Sequence, residues 1–377
     1  MAGCRGRVTE EPSYTSSRKG LGSVGSSTGL RCRIPAAAGT ATERQPGTAT
    51  SQRGAATANG RLWRHRAGHV PYRAGMTHPE AATAITVRSP QGGRLEVLLS
   101  GPKAGFPLLY HSGTPSAAVP YPQLTAAAEG QGLRLIRYSR PGYGDSEPRR
   151  VPGTLADDVA DSAAVLDAVG AAEFVSLGWS GGGPRAVASA ALLPGRCRAA
   201  ATLAGVAPRQ APGLDWLSGM GEENFEEFTA AAAGQRELEA WLAEHGAPVL
   251  RATADQVAEA LGSLVPEVDR ASLTGEFADY VARSFRHAGR QGVVGWRDDD
   301  LLLLAPWGVD LGSVRVPVSV WHGGQDRMVP FSHGRWLAAH IAGARTHLYD
   351  NEGHLSLVAQ LDRILADLVQ QAGLRPG

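Results

Sequence analysis

From about residue 84 the chain alternates short apolar runs with longer segments of helical periodicity. The apolar runs are rich in β-favouring residues and predict eight strands. An opening pair of strands followed by repeated strand-helix units predicts an α/β fold, with a mostly parallel, doubly wound sheet of about eight strands. The predicted strands are AITV (84–87), RLEVLLS (94–100), PLLYHSG (107–113), LRLIRYS (133–139), FVSLGWS (174–180), AAATLAG (199–205), VPVSVWHG (316–323) and RTHLYDN (345–351).

Five amphipathic or alanine-rich segments between and after these strands predict helices on both faces of the sheet. One of them carries clear end signals: Thr154 is suited to the N-cap, and Gly170 is suited to the position just past the last turn. The predicted helices span residues 121–132, 154–170, 183–195, 332–343 and 354–373.

One interval, residues 209 to about 306, breaks the alternation. It contains mostly helix-favouring sequence and no good strand. In a parallel α/β protein, an insertion of this size between two strands is expected to form a helical cap over the edge where ligands bind. The domain prediction is therefore an α/β domain over residues 76–377 that contains this cap.

Residues 1–75 differ from the rest in composition and charge. They are rich in Ser, Thr, Gly, Ala and Arg, lack apolar periodicity and carry twelve Lys or Arg against three acids. Such a segment buries too little apolar surface to offset its ordering entropy, so we expect it to be disordered. The chain's Ala, Gly, Arg and Pro bias is typical of a GC-rich bacterial genome, which raises the alternative of a wrongly assigned start codon. Met76, immediately before the first predicted strand, is then the alternative start.

Charge and cysteine content exclude several classes of function. With a net charge of +1 overall and about +9 in residues 1–75, the remainder is mildly acidic and offers no surface for nucleic acid. No apolar stretch approaches the roughly 20 residues of a membrane span. Cys4, Cys32 and Cys197 have neither metal-site nor disulfide spacing. We expect a cytoplasmic protein without metal or cofactor, and the sequence leaves its oligomeric state open.

The candidate nucleophile is Ser180, in the stretch FVSLGWSGGGPRAVA. The pattern G-x-S-x-G occurs readily by chance in a chain with 48 glycines, and GSSTG around Ser27 also matches it. Ser27 has no strand before it and no helix after it, whereas Ser180 follows an apolar strand and precedes a helix. A sharp strand-to-helix turn needs small neighbours such as Gly178 and Gly182, and it exposes the serine Oγ beside helix amides.

This turn resembles the nucleophile elbow of the α/β-hydrolase superfamily, in capped serine hydrolases. The family's order of serine, acid and histidine implies Asp326, in the loop after VPVSVWHG, and His354, after the last strand. His340 and His347 fall within a predicted helix and strand, which favours other roles for them. The loop HSGTP resembles the family's oxyanion loop.

The resemblance also implies the remaining site residues. The amides of Gly181 and Thr114 are the expected oxyanion donors, and Trp179 and Gly113 are expected to contact the substrate. SRPGYGDS (139–146) resembles the family's stretch after the fourth strand, with Ser139 in place of its Asp.

The implied activity is hydrolysis of a small ester or amide through an acyl-enzyme, most like a carboxylesterase. Cap aromatics, among them Trp241 and Phe285, favour an apolar substrate. The glutamates at 222, 223, 226 and 227 leave open a prolyl-type aminopeptidase that binds an amino group, although a solvated helix face explains them as well. A non-catalytic ligand-binding member of the fold is the other alternative.

Overall fold

A computed structural model describes residues 82–375, so the predictions for residues 1–75 and for Met76 lie outside the described part. All eight predicted strands are present in chain order, which confirms the predicted sheet. Their bounds are β1 Thr83–Arg88, β2 Arg94–Ser100, β3 Phe106–His111, β4 Leu133–Tyr138, β5 Phe174–Trp179, β6 Cys197–Leu203, β7 Val318–Gly323 and β8 Arg345–Tyr349.

The strands form one sheet in the order β1-β2-β4-β3-β5-β6-β7-β8. β1 and β2 pair antiparallel, as do β2 and β4, and every pairing from β4 to β8 is parallel. The carboxyl ends of β3, β5, β7 and β8 therefore meet at the same edge of the sheet. This edge receives the loops that carry the candidate site residues.

The five predicted helices cover the two faces of the sheet. α1 (Pro122–Gly130) and α12 (Leu361–Gln371) pack together on one face, and α2 (Leu155–Ala168), α3 (Gly183–Leu192) and α11 (Phe331–His340) lie against the other. In α2, Thr154 accepts a hydrogen bond from the amide of Asp157, and Gly170 follows the helix with a φ of 72°, as its sequence signals predict.

Between β6 and β7 the chain forms helices and loops and no strand, and we call this segment the cap. The apolar side of the cap joins the core on the face of α1 and α12, where Tyr280 stacks on Tyr121 with ring centroids 3.7 Å apart. Within residues 82–375 no helix combines the length and the apolar character that a membrane crossing requires. The cap helices are α4 Glu222–Ala233, α5 Gln235–Trp241, α6 Ala247–Arg251, α7 Val257–Ala260, α8 Glu267–Ser272, α9 Gly275–Ala288 and α10 Val294–Leu304.

Candidate active site

Ser180 lies at the junction of β5 and α3 with a left-handed backbone. Its φ is 56°, a conformation that costs a residue with a side chain of the order of 1 kcal/mol or more. A Cβ on Gly178 would collide with the carbonyl oxygen of Gly182, and a Cβ on Gly182 would collide with that of His111. Glycine at both positions therefore permits the sharp turn that exposes Ser180.

The loop after β3 lies directly against this turn. A Cβ built on Gly113 would be 3.2 Å from Ser180 Cβ, and one built on Gly181 would be 3.6 Å from the amide nitrogen of Thr114. The two amides expected to hold an oxyanion, those of Gly181 and Thr114, thus belong to neighbouring residues beside Ser180. Their role in catalysis stays a prediction.

Asp326 and His354 form a buried pair at the same edge of the sheet. His354 Nδ1 lies 2.8 Å from Asp326 Oδ2, and Asp326 Oδ1 accepts hydrogen bonds from the amides of Met328 at 2.9 Å and Val329 at 2.8 Å. These contacts fix the carboxylate and leave His354 Nε2 as the ring atom available to a proton from elsewhere. Ser180 Oγ and His354 do not form a hydrogen bond with each other, and such contacts often tighten only when substrate binds.

The pKa of His354 reflects two opposed effects. Burial alone would lower it, but the Asp326 carboxylate outweighs burial through its charge and its hydrogen bond, and Asp269 adds a further negative charge. The pKa of His354 is therefore raised above the ordinary histidine value. The charged imidazole that would form during proton transfer is stabilised by the same carboxylates.

Asp269, on α8 of the cap, supports the loop that carries His354. Its carboxylate is fully buried and accepts hydrogen bonds of 2.8 Å from the amides of His354, Leu355 and Ser356. A Cβ on Gly353 would collide with this carboxylate. Asp269 was not among the residues expected from the sequence, because a single Asp in a short helix carries no local signal of such a role.

Asp299, on α10 of the cap, is a second residue that sequence reasoning missed. Its carboxylate accepts a hydrogen bond of 2.7 Å from the Thr114 hydroxyl and one of 2.6 Å from Arg185 Nη2, and it forms an ion pair with Arg140. Tyr143 donates a further hydrogen bond of 2.9 Å. Burial would raise the pKa of Asp299, but the two arginines outweigh burial and lower it to about 2.

The two arginines extend this contact to the backbone of the loop after β3 and of the turn after β5. Arg140 donates to the carbonyl oxygens of Ser112 at 2.7 Å and Gly113 at 2.8 Å. Arg185 donates to the carbonyl oxygen of Gly181 at 2.6 Å. One buried carboxylate thus orients the turns that carry Thr114 and Gly181, whose amides are the expected oxyanion donors.

A cavity of about 430 Å³ opens at this edge, between the sheet and the cap. This volume is in the range of small-molecule sites. Every predicted site residue lines it except Asp326, which lies behind His354. The predicted residues that line it are Gly113, Thr114, Trp179, Ser180, Gly181 and His354.

The cap contributes only part of its aromatic residues to this cavity. Trp216, Phe225, Phe277 and Trp307 do not line it. Trp216 and Trp307 are buried in the core, whereas Phe225 is 51% exposed. The aromatic residues of the cap that do line the cavity are Phe228, Trp241, Tyr280, Phe285 and Trp296.

One group of described residues has the spacing to hold a metal ion, and it lies apart from the cavity. It consists of Glu96, Asp145 and His287. His287 Nε2 is already 2.8 Å from Glu96, and Glu96 also accepts a hydrogen bond from Ser139. These hydrogen bonds account for the cluster as a set of polar contacts that closes the turn after β4.

The described residues match a known protein family. The family model described as the alpha/beta hydrolase fold matches residues 107–359, which is more than half of the chain. The protein therefore belongs to the α/β-hydrolase fold family, as the resemblance of the elbow implied.

The individual proteins that match this chain have low sequence identity to it. A non-heme chloroperoxidase from Streptomyces lividans is 26% identical over 276 residues, covering 71% of this chain and 92% of that protein. An alpha/beta hydrolase fold protein from Nakamurella multipartita is 26% identical with a TM-score of 0.52, over 77% of this chain and 100% of that one. An esterase from Rhodococcus is 21% identical with a TM-score of 0.55, over 77% and 98%. The fold is thus that of a hydrolase family that has esterases among its structural neighbours.

Proposed function

We propose that this protein is a serine hydrolase that cleaves a small carboxylic ester, with Ser180, His354 and Asp326 as its catalytic triad. The observation that carries the proposal is the left-handed Ser180 in a cavity that His354 also lines, with Asp326 buried behind His354 and hydrogen-bonded to it. The strained backbone at Ser180, between two glycines that the turn requires, lowers the stability of the fold. The same conformation exposes the serine hydroxyl as a nucleophile requires. The fold family is in keeping with this chemistry.

The reaction has two halves that use the same residues. Ser180 Oγ attacks the substrate carbonyl carbon while His354 Nε2 accepts its proton, and His354 then gives that proton to the departing alcohol oxygen. Water attacks the resulting acyl-enzyme, His354 takes the water proton, and the carboxylic acid leaves as Ser180 regains its hydrogen. Asp326 holds the imidazole with Nδ1 protonated, and it stabilises the cation that forms in each half.

The negative charge that develops on the carbonyl oxygen would be held by the amides of Gly181 and Thr114. Each oxyanion donor of this kind typically contributes about 3 kcal/mol to transition-state stabilisation. Asp299 and its two arginines hold the peptide units on either side, so these donors need little reorganisation when the charge forms.

A specific observation keeps the prolyl-type aminopeptidase as the second candidate function. Of the predicted glutamate cluster, Glu222 and Glu226 are exposed, but Glu227 is buried and lines the cavity. A carboxylate there fits a substrate with an amino group, which amide substrates of aminopeptidases carry.

A substrate panel tests the proposal and separates the two functions. We expect a fluorophosphonate probe to label Ser180, and p-nitrophenyl esters of increasing acyl length to be hydrolysed. Faster cleavage of amino-acid p-nitroanilides would identify a peptidase. Folded protein that neither reacts with the probe nor turns over any substrate would leave only the non-catalytic binding member of the fold.

The pH dependence of kcat/KM on a neutral ester gives an independent prediction. His354 accepts a proton only in its neutral form, so activity falls as the pH drops through its pKa. Because Asp326 raises that pKa, we expect the acidic limb to lie above the ordinary histidine value of about 6.5. A rate profile across neutral pH measures this limb, and a midpoint below that value would contradict the assignment of His354 as the base.

A further inference from the structure

The cavity beside Ser180 has an unusual charge balance. Six of the residues that line it are carboxylic acids, and none of its described lining residues is Lys or Arg. Its other walls are largely apolar or aromatic. The cavity therefore disfavours an anionic substrate and favours one with an apolar body and a positive charge. The acids are Glu223, Glu226, Glu227, Glu244, Glu259 and Asp300.

Two of these acids, Glu227 of α4 and Asp300 of α10, are buried and interact with each other. Asp300 is 0% exposed and Glu227 is 5% exposed. Glu227 Oε1 accepts a hydrogen bond of 2.5 Å from Trp296 Nε1. Neither oxygen of Asp300 receives a hydrogen bond from an N–H or hydroxyl group of the described residues. The pair is thus a buried site with acceptor capacity to spare.

Such a pair is costly in the absence of a partner. A buried carboxylate without an N–H or hydroxyl donor loses its hydration, and a second carboxylate beside it adds repulsion unless the two groups share a proton, as the contact between Glu227 and Asp300 allows. Burial raises the pKa of both groups, and the charge of Glu227 raises that of Asp300 further. A bound cation with several N–H donors would supply both the missing hydrogen bonds and the opposite charge.

The other two aspartates next to Asp300 in α10 do not carry this cost, because each is paired with arginine. Asp299 and Asp300 are adjacent in sequence and both are buried, but Asp299 is paired with Arg140 and Arg185. Asp298 is paired with Arg297 at 2.6 Å. Of these three consecutive aspartates, only Asp300 has no basic partner among the described residues, and it is the one that lines the cavity.

We propose that Glu227 and Asp300 bind the protonated amine of the substrate, so that the substrate class is esters or amides with a free amino group and an apolar body. The aromatic walls at Trp296 and Phe228 favour an organic ammonium group over an inorganic ion, because aromatic faces attract such cations. This inference rests on the proposed function for its bond cleavage, but the binding site can be measured separately.

The binding test compares amines with alcohols of the same shape. Pentylamine and pentanol, and phenethylamine and phenethyl alcohol, are measured as competitive inhibitors of p-nitrophenyl butyrate hydrolysis at neutral pH. Charge-assisted hydrogen bonds predict an inhibition constant at least about tenfold lower for each amine. As a substrate counterpart, leucine methyl ester should be cleaved with a higher kcat/KM than its N-acetyl derivative, which has lost the positive charge.

Variants assign the preference to the pair. Asp300→Asn and Glu227→Gln keep the shape of each side chain, and we expect both to bring the amine-to-alcohol ratio of inhibition constants close to one. General damage to the cavity cancels in this ratio, and circular dichroism checks the fold. The matched control is Glu222→Gln, an exposed acid of the same helix that does not line the cavity; it should retain the wild-type ratio.

Failure of this inference is distinguishable from failure of the proposed function. If the probe labels Ser180 and esters are cleaved, but amines bind no better than alcohols, the amine site is overturned. The amine site is also overturned if the preference survives both substitutions. If Ser180 is inert, thermal stabilisation of the protein by the amines but not the alcohols still supports the site, and equal stabilisation by both overturns it.

Discussion

Ser180→Ala is expected to lower kcat for p-nitrophenyl ester hydrolysis by roughly a millionfold and to abolish labelling by fluorophosphonates. Removing the nucleophile of a serine triad costs about this much, because the remaining residues cannot form the acyl-enzyme. The residual rate above water would come from the oxyanion amides and from binding. Stopped assays with purified protein, together with mass spectrometry of the labelled peptide, measure both effects.

The same substitution should leave the stability of the folded protein nearly unchanged. Ser180 has a φ of 56°, and alanine in that conformation is as strained as serine, so we expect the melting temperature to change little. Ser176→Ala is the matched control, because Ser176 is buried in β5, the strand that leads into Ser180, and its hydroxyl has no hydrogen-bond partner among the described residues. Wild-type labelling in Ser180→Ala, or its loss in Ser176→Ala, would refute the assignment of the nucleophile.

Asp299→Asn is expected to lower kcat about a hundredfold and to destabilise the protein by about 3–5 kcal/mol. The stability loss follows because Arg140 would remain buried without a negative partner, and Arg185 would keep only its ion pair with Asp158. The rate loss follows because the turns at Thr114 and Gly181 would lose the contact that aligns their amides, and a displacement of about 1 Å at a catalytic group can cost about a hundredfold.

Two measurements separate positioning from simple loss of structure. Urea unfolding gives the stability change, and kcat is then measured at a temperature where the variant is fully folded. We expect kcat to fall more than KM rises, because the oxyanion forms only in the transition state. Asp298→Asn is the control, since it loses only a partly exposed pair with Arg297. Full kcat in folded Asp299→Asn would limit this residue to a structural role.

Much of the fold followed from local sequence, because its signals are local. Each strand is a short apolar run, and the turn at Ser180 needs glycine at Gly178 and Gly182 whatever lies elsewhere. The order of Asp326 and His354 after successive strands also predicted their meeting, since parallel strands end at one edge.

The cap contacts could not be predicted in the same way. Asp269, Asp299 and Asp300 lie in acid-containing helical sequence that is indistinguishable from a solvated helix face. Whether such a carboxylate faces solvent, an arginine or a cavity depends on how each helix packs, and periodicity does not determine that packing. A second kind of contact that local sequence does not predict lies at the turn after β4. There Ser139 stands where the family has Asp, and Glu96, distant in sequence on β2, supplies a carboxylate to the turn.

The position of Asp269 and Asp299 bears on how this protein could acquire new substrates. In a fold where the cap merely covers the sheet, exchanging the cap would change specificity and leave the chemistry intact. Here one cap carboxylate anchors the loop of His354 and another aligns the turns beside Ser180. Under the proposed mechanism, replacing the whole cap would therefore disturb the catalytic residues as well as the specificity, so new substrates would arise through changes in the side chains that line the cavity, with these two aspartates kept.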